Sequence, residues 1–270
     1  RPKQSAAAYK KIWWDEGSPL IVLSQRLKDK IDENTSVPIV LAMRYGTPNI
    51  KSGLQELHDQ GIDEVLIFPL YPQFAMATTE TILVLAEELR KEFFPEMQFT
   101  SIPAFYNHPD YVRVLANSIQ EKLKDVEYQH ILFSYHGVPE RHIRKSDITK
   151  SHCQIDGSCC KTASAAHQYC YRHQCFETTR LVAEYLQLKE NSYSVSFQSR
   201  LGFDPWLQPY TDRTIERFGK QGMKNLAIVT PAFVSDCLET LEEIAMEGEE
   251  IFHEVGGEKF TVVPCLNTRE

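Results

Sequence analysis

The chain has 270 residues, of which 42% are apolar and 24% charged, and its net charge is -8 at pH 7. This length and composition allow a large buried core or two domains. The acidic charge and the lack of a basic cluster disfavour nucleic acid as a partner, and no apolar run approaches the ~20 residues of a membrane-spanning helix. The glycine patterns of dinucleotide-binding and P-loop proteins do not occur, which disfavours a nucleotide enzyme.

Buried-type strands alternate with amphipathic helical segments along the chain. The predicted strands lie at 37–42, 64–68, 98–102, 129–134, 192–197, 225–230 and 260–263. Helical patterns lie between them, for instance at 79–92 and 109–123. This alternation is typical of an α/β fold with doubly wound parallel sheets.

One histidine follows directly after a predicted strand. The strand at 129–134 leads to His136, and Gly137 and Pro139 end the apolar segment sharply. Open α/β sheets bind ligands at the carboxyl ends of their strands, so the position of His136 favours a functional role. A single histidine can equally bond a neighbouring carbonyl group, and the residue alone leaves both interpretations open.

A second strand, at 225–230, leads into a helix that carries acidic residues. Ser235 or Asp236 suits the N-cap of this helix. Asp236, Glu239 and Glu243 fall at i, i+3 and i+7, which predicts three carboxylates on one helix face. Such a run is most often a solvated face. Its place after a strand, like that of His136, favours a site that handles a cation or protons.

At these two segments the chain resembles ferrochelatase, the enzyme family that inserts ferrous iron into protoporphyrin IX to make protohaem. FSYHGVP at 133–139 resembles the family's histidine signature, and FVSDCLETLEE at 233–243 resembles its acidic signature. Other similar segments occur in the family's order: MRYGTP at 43–48, PLYPQF at 69–74, SFQSRLG at 196–202 and WLQP at 206–209. The resemblance covers nearly the whole chain, so it is more specific than any one short motif.

The resemblance implies that His136 and Glu239 bind the ferrous iron and catalyse its insertion. Asp236 and Glu243 would continue from them as an acidic path. Metallation requires that two pyrrole protons leave the porphyrin and that iron loses its water. Imidazole accepts protons near neutral pH and also ligates iron, while carboxylates carry protons or transfer the cation, so these residue types suit the reaction.

The resemblance also implies a porphyrin-binding site. The porphyrin-binding residues would be Arg44, Tyr45, Tyr71 and Trp206. Flat aromatic walls suit a macrocycle, and an arginine suits a propionate. From the residues alone, the aromatic side chains could equally be core and Arg44 could equally form a surface ion pair.

Two similar Rossmann-like halves around a central cleft are the architecture that the resemblance implies. We expect the first half at 1–126, the second at 127–255, and a last segment, 256–270, that returns to the first half. The chain begins with Arg1, whereas the family begins earlier with a strand and a lip loop. We therefore expect the parent protein to extend beyond both ends.

An insertion at 151–175 contains five of the seven cysteines within 23 residues. An odd cysteine count in an enzyme expected in the cytosol disfavours disulfides, and the insertion lacks the Cys-x-x-Cys pairs that zinc sites favour. Some bacterial ferrochelatases carry a similar inserted loop that binds a [2Fe-2S] cluster. This likeness implies four ligands, with Cys175 as an alternative: Cys153, Cys159, Cys160 and Cys170. Zinc and unligated thiols stay open as alternatives.

Two other functions also stay open from the sequence. One is an iron–sulfur oxidoreductase on an α/β scaffold, which would need a nucleotide or flavin pattern that the chain lacks. The other is a non-catalytic porphyrin or haem carrier, which would not need His136 opposite a line of carboxylates. We expect a cytoplasmic enzyme whose partners are protoporphyrin IX and ferrous iron, with peripheral contact with the inner membrane left open.

Overall fold

Two parallel β-sheets organise the molecule in a computed structural model that describes residues 2–269, with side chains described from residue 5. In the smaller sheet, β1 (Glu64–Ile67) pairs with β2 (Gln98–Ser101). The larger sheet has the order β4-β3-β5-β6, in which β3 is His130–His136, β4 is Tyr193–Gln198, β5 is Asn225–Val229 and β6 is Lys259–Val262. All its neighbouring strands are parallel, which confirms the predicted α/β fold.

Helices connect these strands, because parallel neighbours need a crossover connection. They are α1 (Pro2–Ile12), α2 (Pro19–Asp32), α3 (Ile50–Asp59), α4 (Thr81–Phe93), α5 (Pro109–Leu123), α6 (Glu140–Ser146), α7 (Tyr171–Tyr185), α8 (Thr211–Lys220) and α9 (Glu249–Glu254). The prediction of a helix at 109–123 is confirmed, and Pro109 suits its first turn. α4 begins two residues later than predicted, because a π-helical turn at Met76–Glu80 precedes it.

The central strand β3 is buried on both faces. Ile131 and Phe133 pack on one face with side chains of α5 and α7. Leu132 packs on the other face with Ile215 of α8 and with α9. Successive strand residues point to opposite faces, so helices on both sides require the continuous apolar run that the sequence shows. This packing fixes β3 and presents His136 at its carboxyl end.

The strand order places a switch point between β3 and β5. The chain leaves β3 for β4 on one side and leaves β5 for β6 on the other. Ligands of doubly wound sheets bind outside the carboxyl ends of the strands at such a point. The residues that follow β3 and β5 therefore face the same crevice edge.

The prediction of a strand at 37–42 is wrong. This segment forms no ladder with any strand in residues 2–269. Val40 and Ala42 instead lie beside Gly53 of α3. Apolar alternation favours a strand, but a ladder also needs paired backbone N–H and C=O groups, and this segment packs its side chains without such pairing.

β6 also differs from the expectation for its segment. Phe260 pairs with Leu226 of β5, so this part of 256–270 belongs to the larger sheet and does not return to the first half. Beyond β6 the chain approaches the N-terminal helices, where the Lys30 ammonium donates to the Thr268 carbonyl at 2.9 Å. The boundary near Val126 stays a prediction.

Candidate functional site

His136 is half-buried at the end of β3, with its ring near two aromatic side chains. The ring centroids of Trp206 and Phe233 lie 6.4 Å and 6.3 Å from its own. Its Nδ1 lies 2.6 Å from the carbonyl oxygen of Gly137. A carbonyl oxygen can only accept, so we assign the ring proton to Nδ1. Neutral His136 then has a free lone pair on Nε2, which can accept a proton or ligate a metal.

Backbone contacts hold the loop that carries His136. The Gly137 N–H donates to the Gln198 carbonyl at 2.6 Å, and the Tyr171 hydroxyl donates to the His136 carbonyl at 2.8 Å. The Trp206 indole N–H donates to the Leu201 carbonyl at 2.8 Å. Trp206, predicted as a pocket wall, is therefore pinned and only 9% exposed beside the loop.

Gly137→Ala is expected to disturb the site more than the fold. A Cβ at this position would lie 2.9 Å from the Gln198 carbonyl oxygen and 3.3 Å from a ring carbon of Trp206. The loop must shift and take the His136 ring with it, and a shift of about 1 Å costs roughly 100-fold in turnover. Gly53→Ala is the control, since that helical glycine has only ordinary contacts. Wild-type kcat in Gly137→Ala would contradict this expectation.

Glu239 and Glu243 lie on a π-helix, Glu239–Gly248, which we call the acidic helix. This helix begins at Glu239 and not after the predicted N-cap, Ser235 or Asp236. The reason is that the Asp236 carboxylate makes its hydrogen bonds elsewhere. That carboxylate accepts from the Thr240 hydroxyl at 2.9 Å and from the Asn267 amide at 2.8 Å. The structure thus joins Asp236 to the C-terminal segment, whereas Glu239 and Glu243 stay on one side of the helix.

Glu243 is held by the chain that follows β4. Its carboxylate accepts from the Ser199 backbone N–H at 2.8 Å and from the Ser199 hydroxyl. Burial raises the pKa of Glu243, although the Ser199 hydrogen bonds and the charge of His136 oppose this. The effect of His136 on this pKa indicates that the charges of Glu243 and His136 lie near each other.

Glu239 adjoins a group of phenols and a thiol. Burial, with the nearby charges of Cys237 and Glu239, raises the pKa of Tyr71. Burial and Glu239 also raise the pKa of Tyr9 on α1. Burial and Glu239 raise the pKa of the Cys237 thiol, which hydrogen bonds to Glu239. Tyr71 is therefore an electrostatic neighbour of Glu239 and Cys237.

Arg44 lines a cleft and stacks on Tyr45. The Arg44 guanidinium is 4.7 Å from the centroid of the exposed Tyr45 ring, and Tyr45 is an electrostatic neighbour of Tyr71. The Arg44 Nε is buried and has no hydrogen-bond partner. Arg44, Met76, Val84 and His142 are among the residues that line this cleft of about 500 Å³.

Sequence reasoning missed two residues that contact this site. Gln198 and Ser199 fall within the segment 196–202 that resembles the family, but their polar side chains gave no sign of where they point.

The cysteine insertion begins close to the His136 loop. After α6, the Asp147 carboxylate accepts from the backbone N–H groups of His152 and Cys153, both at 2.9 Å. At the other end, Cys170 is the N-cap of α7, and its sulfur accepts from the His173 N–H at 3.5 Å. The insertion is thus anchored at both ends.

The four predicted ligand cysteines lie together as two thiol pairs. The pKa of Cys153 responds to Cys159, and the pKa values of Cys160 and Cys170 respond to each other. The second interaction lowers the pKa of Cys170 and raises that of Cys160. Cys175 lies fully buried in α7, as expected for a helix residue, and all seven cysteines are free thiols. Within residues 2–269, no set of three or more His, Cys, Asp or Glu side chains is arranged to hold a single metal ion.

Comparisons with known proteins agree on one family. A sequence model of ferrochelatase matches residues 1–270. The chain is 48% identical over 269 residues to the ferrochelatase of Pseudomonas fluorescens (strain SBW25), covering 99% of the chain and 79% of the relative. It is 46% identical over 272 residues to the ferrochelatase of Stutzerimonas stutzeri, covering 100% and 80%. It is 44% identical over 269 residues to that of Opitutus terrae, covering 99% and 78%.

Solved structures share the fold at low identity. SirB from Bacillus subtilis with Fe3+ matches with a TM-score of 0.57 at 11% identity, covering 90% of the chain and 81% of SirB. The cobalt complex of the sirohydrochlorin chelatase SirB from Bacillus subtilis subspecies spizizenii gives a TM-score of 0.57 at 9% identity, covering 90% and 80%. Every helix in residues 2–269 is too short or too polar to span a membrane.

The family model over the full sequence and the relatives at 44–48% identity identify the protein family, which the fold alone does not. The chain therefore belongs to the ferrochelatase family and is a lyase that inserts ferrous iron into porphyrin for haem synthesis.

Proposed function

We propose that His136 accepts the pyrrole protons of the porphyrin and contacts the incoming iron. The observation that carries this proposal is the Nδ1 contact with the Gly137 carbonyl, which assigns the ring proton of neutral His136 to Nδ1 and leaves its Nε2 available to accept a proton. Neutral imidazole is a good proton acceptor near neutral pH, so no rearrangement has to precede the step. The aromatic rings beside it restrict water and suit a flat ligand.

Glu239 is the carboxylate that shares the reacting centre with His136 in this proposal. It adjoins Tyr71 and Cys237, where a ferrous ion would exchange water for protein ligands. Glu243 lies next along the acidic helix, and burial raises its pKa, so it takes up a proton more readily than an exposed carboxylate. Protons that leave the porphyrin can therefore pass along this side of the helix.

Protoporphyrin IX is the substrate we propose, with Tyr45 and Tyr71 against the ring and Arg44 toward a propionate. Arg44 is suited to this role because its buried Nε has no partner and its guanidinium can form a bidentate pair with a carboxylate. The test is the rate of zinc and iron insertion by the full-length protein with protoporphyrin IX and with coproporphyrin. A clear preference for coproporphyrin would contradict the substrate assignment.

The two thiol pairs of the insertion are, we propose, the ligands of a [2Fe-2S] cluster. Such a cluster takes two ligands on each of two irons, so paired thiols fit it although they do not form a single-ion site. The sulfurs of Cys159 and Cys170 also accept backbone N–H groups, at 3.4 Å and 3.5 Å, as cluster thiolates commonly do. When bound, the cluster would cross-link the insertion to α7.

Cys160→Ser is expected to remove this cluster. Protein purified in air should be reddish brown and should contain two iron and two acid-labile sulfide per chain, and the variant should lose both. Because the insertion is anchored near His136, we expect lower thermal stability and an indirect loss of activity through unfolding. The measurements are metal and sulfide analysis, the visible spectrum and the unfolding midpoint.

Cys265→Ser is the control, since Cys265 is a buried thiol outside the insertion. It should keep the colour, the iron and the sulfide. One zinc per chain without sulfide would favour a zinc site instead. A colourless, metal-free and fully active wild type would overturn the cluster proposal and leave the ferrochelatase function unaffected.

A further inference from the structure

The end of strand β4 touches both sides of the candidate site. The Gln198 carbonyl accepts from the Gly137 N–H at 2.6 Å, next to His136. The Gln198 side-chain amide donates to the Glu239 carbonyl at 3.1 Å. Gln198 is 3% exposed, so both contacts are sheltered from water. One residue therefore connects the loop that carries His136 with the first turn of the acidic helix.

The next residue, Ser199, holds the other carboxylate of the acidic helix. Its backbone N–H and its hydroxyl both donate to Glu243. Ser199 has a φ of 58°, in the left-handed region that non-glycine residues rarely adopt. Such a conformation persists only where the surrounding structure enforces it, and it is frequent at functional sites. Here it directs two donors at one carboxylate.

A buried hydroxyl network sets the direction of the Gln198 amide. The Ser134 hydroxyl donates to the Gln198 Oε1 at 2.8 Å, so the amide nitrogen faces Glu239. Thr211 lies 2.8 Å from both Ser134 and Ser196, which completes the network. All of these side chains are buried. Fully satisfied buried networks of this kind are rigid, so Gln198 cannot readily exchange its partners.

We propose that Gln198 and Ser199 are positioning residues for iron insertion, which hold Glu239 and Glu243 in place relative to His136. This inference rests on the roles proposed above for those three residues. Preorganisation is needed because displacement of a reacting group by about 1 Å costs roughly 100-fold in rate. The alternative is that the two residues only satisfy buried polar groups, in which case they affect stability and not kcat.

Two substitutions at Ser199 separate the hydroxyl from the backbone. Ser199→Gly tolerates the positive φ and loses the hydroxyl, whereas Ser199→Asn also tolerates it and keeps a donor. We expect about a tenfold lower kcat in Ser199→Gly, partial recovery in Ser199→Asn, and an unchanged KM for porphyrin. In the double variant Ser199→Gly/Glu243→Gln, kcat should be no lower than in Glu243→Gln alone. Multiplied effects would overturn the proposal for Ser199.

Gln198→Met keeps the side-chain volume and removes the donor to Glu239. We expect kcat to fall by about 10- to 100-fold in this variant. Thr214→Val is the matched control, since it removes one buried hydroxyl, bonded to the Tyr210 carbonyl at 2.8 Å, that lies outside the network around Gln198. It should lower the unfolding midpoint by a similar amount and leave kcat unchanged. Equal kcat in the two variants would reduce Gln198 to a structural role.

The same series distinguishes this inference from the proposed function. If Glu239→Gln and Glu243→Gln keep wild-type turnover, the assigned roles are wrong, and the positioning inference falls with them. If those two variants are slow while Gln198→Met and Ser199→Gly match wild type, only the positioning inference is wrong. Slow turnover in all four, with normal turnover in Thr214→Val, supports both.

Discussion

Replacement of His136 by alanine is expected to lower kcat for iron insertion by about 10²- to 10⁴-fold, the usual contribution of a general acid–base residue. The loss of an iron contact would add to this effect. The fold should persist, because the half-buried ring hydrogen bonds to the adjacent Gly137 carbonyl and its removal leaves the backbone contacts of the loop intact. Zinc or iron insertion into protoporphyrin IX measures the change.

His253→Ala is a matched control for this variant. The His253 ring also makes a hydrogen bond to a nearby carbonyl, that of Gly257 at 3.0 Å, but it lies on α9 away from the crevice. We expect wild-type kcat in the control and similar unfolding midpoints in both variants. Turnover near the wild-type value in His136→Ala would remove His136 from the reaction.

The second large effect is expected at Glu239. Glu239→Gln keeps the shape of the side chain but removes its charge, and we expect kcat to fall by about 10²- to 10³-fold. Glu243→Gln should cost less, about tenfold, because this residue lies farther along the acidic helix and its proposed role is onward proton transfer. Burial raises the pKa of Glu243, so its contribution should fade at a higher pH than that of an exposed glutamate as the solution is acidified.

Glu254→Gln, at an exposed position in α9, is the control for removal of one carboxylate near these helices. It should leave kcat unchanged. Small and equal losses in Glu239→Gln and Glu243→Gln would identify the acidic residues as a solvated helix face. The comparison therefore tests directly the alternative that the charge pattern left open.

Local patterns in the sequence were sufficient for the elements that bury a continuous apolar run. Successive residues of β3 point to helix layers on opposite sides of the sheet, so both faces of the strand are buried. The apolar run that this burial requires is visible in the sequence. α5 was predictable for a similar reason, since Pro109 marks its start and an apolar stripe follows. The family segments gave the function because they occur in the family's order along nearly the whole chain.

The π geometry of the acidic helix was not predictable in this way. Its widened turn depends on packing and on bonds made outside the helix, such as that from Gln198 to the Glu239 carbonyl. The same holds for Asp236, whose carboxylate bonds to Asn267 in a segment 31 residues away. Regular α-helical spacing therefore predicted a shared face for the three acids, and the tertiary contacts removed Asp236 from it.

The sequence by itself determined the parallel α/β fold, the place of His136 after a strand, the acidic run and the grouping of cysteines. These features depend on the periodicity of apolar residues, on composition and on the order of the segments, all of which can be read from short stretches of sequence. Only the tertiary structure decided that β6 stays in the larger sheet, that the thiols form two pairs, and that Gln198 and Ser199 hold the acidic helix. Each of those outcomes is a contact between residues distant in sequence, and the polarity of a single residue does not specify its partner.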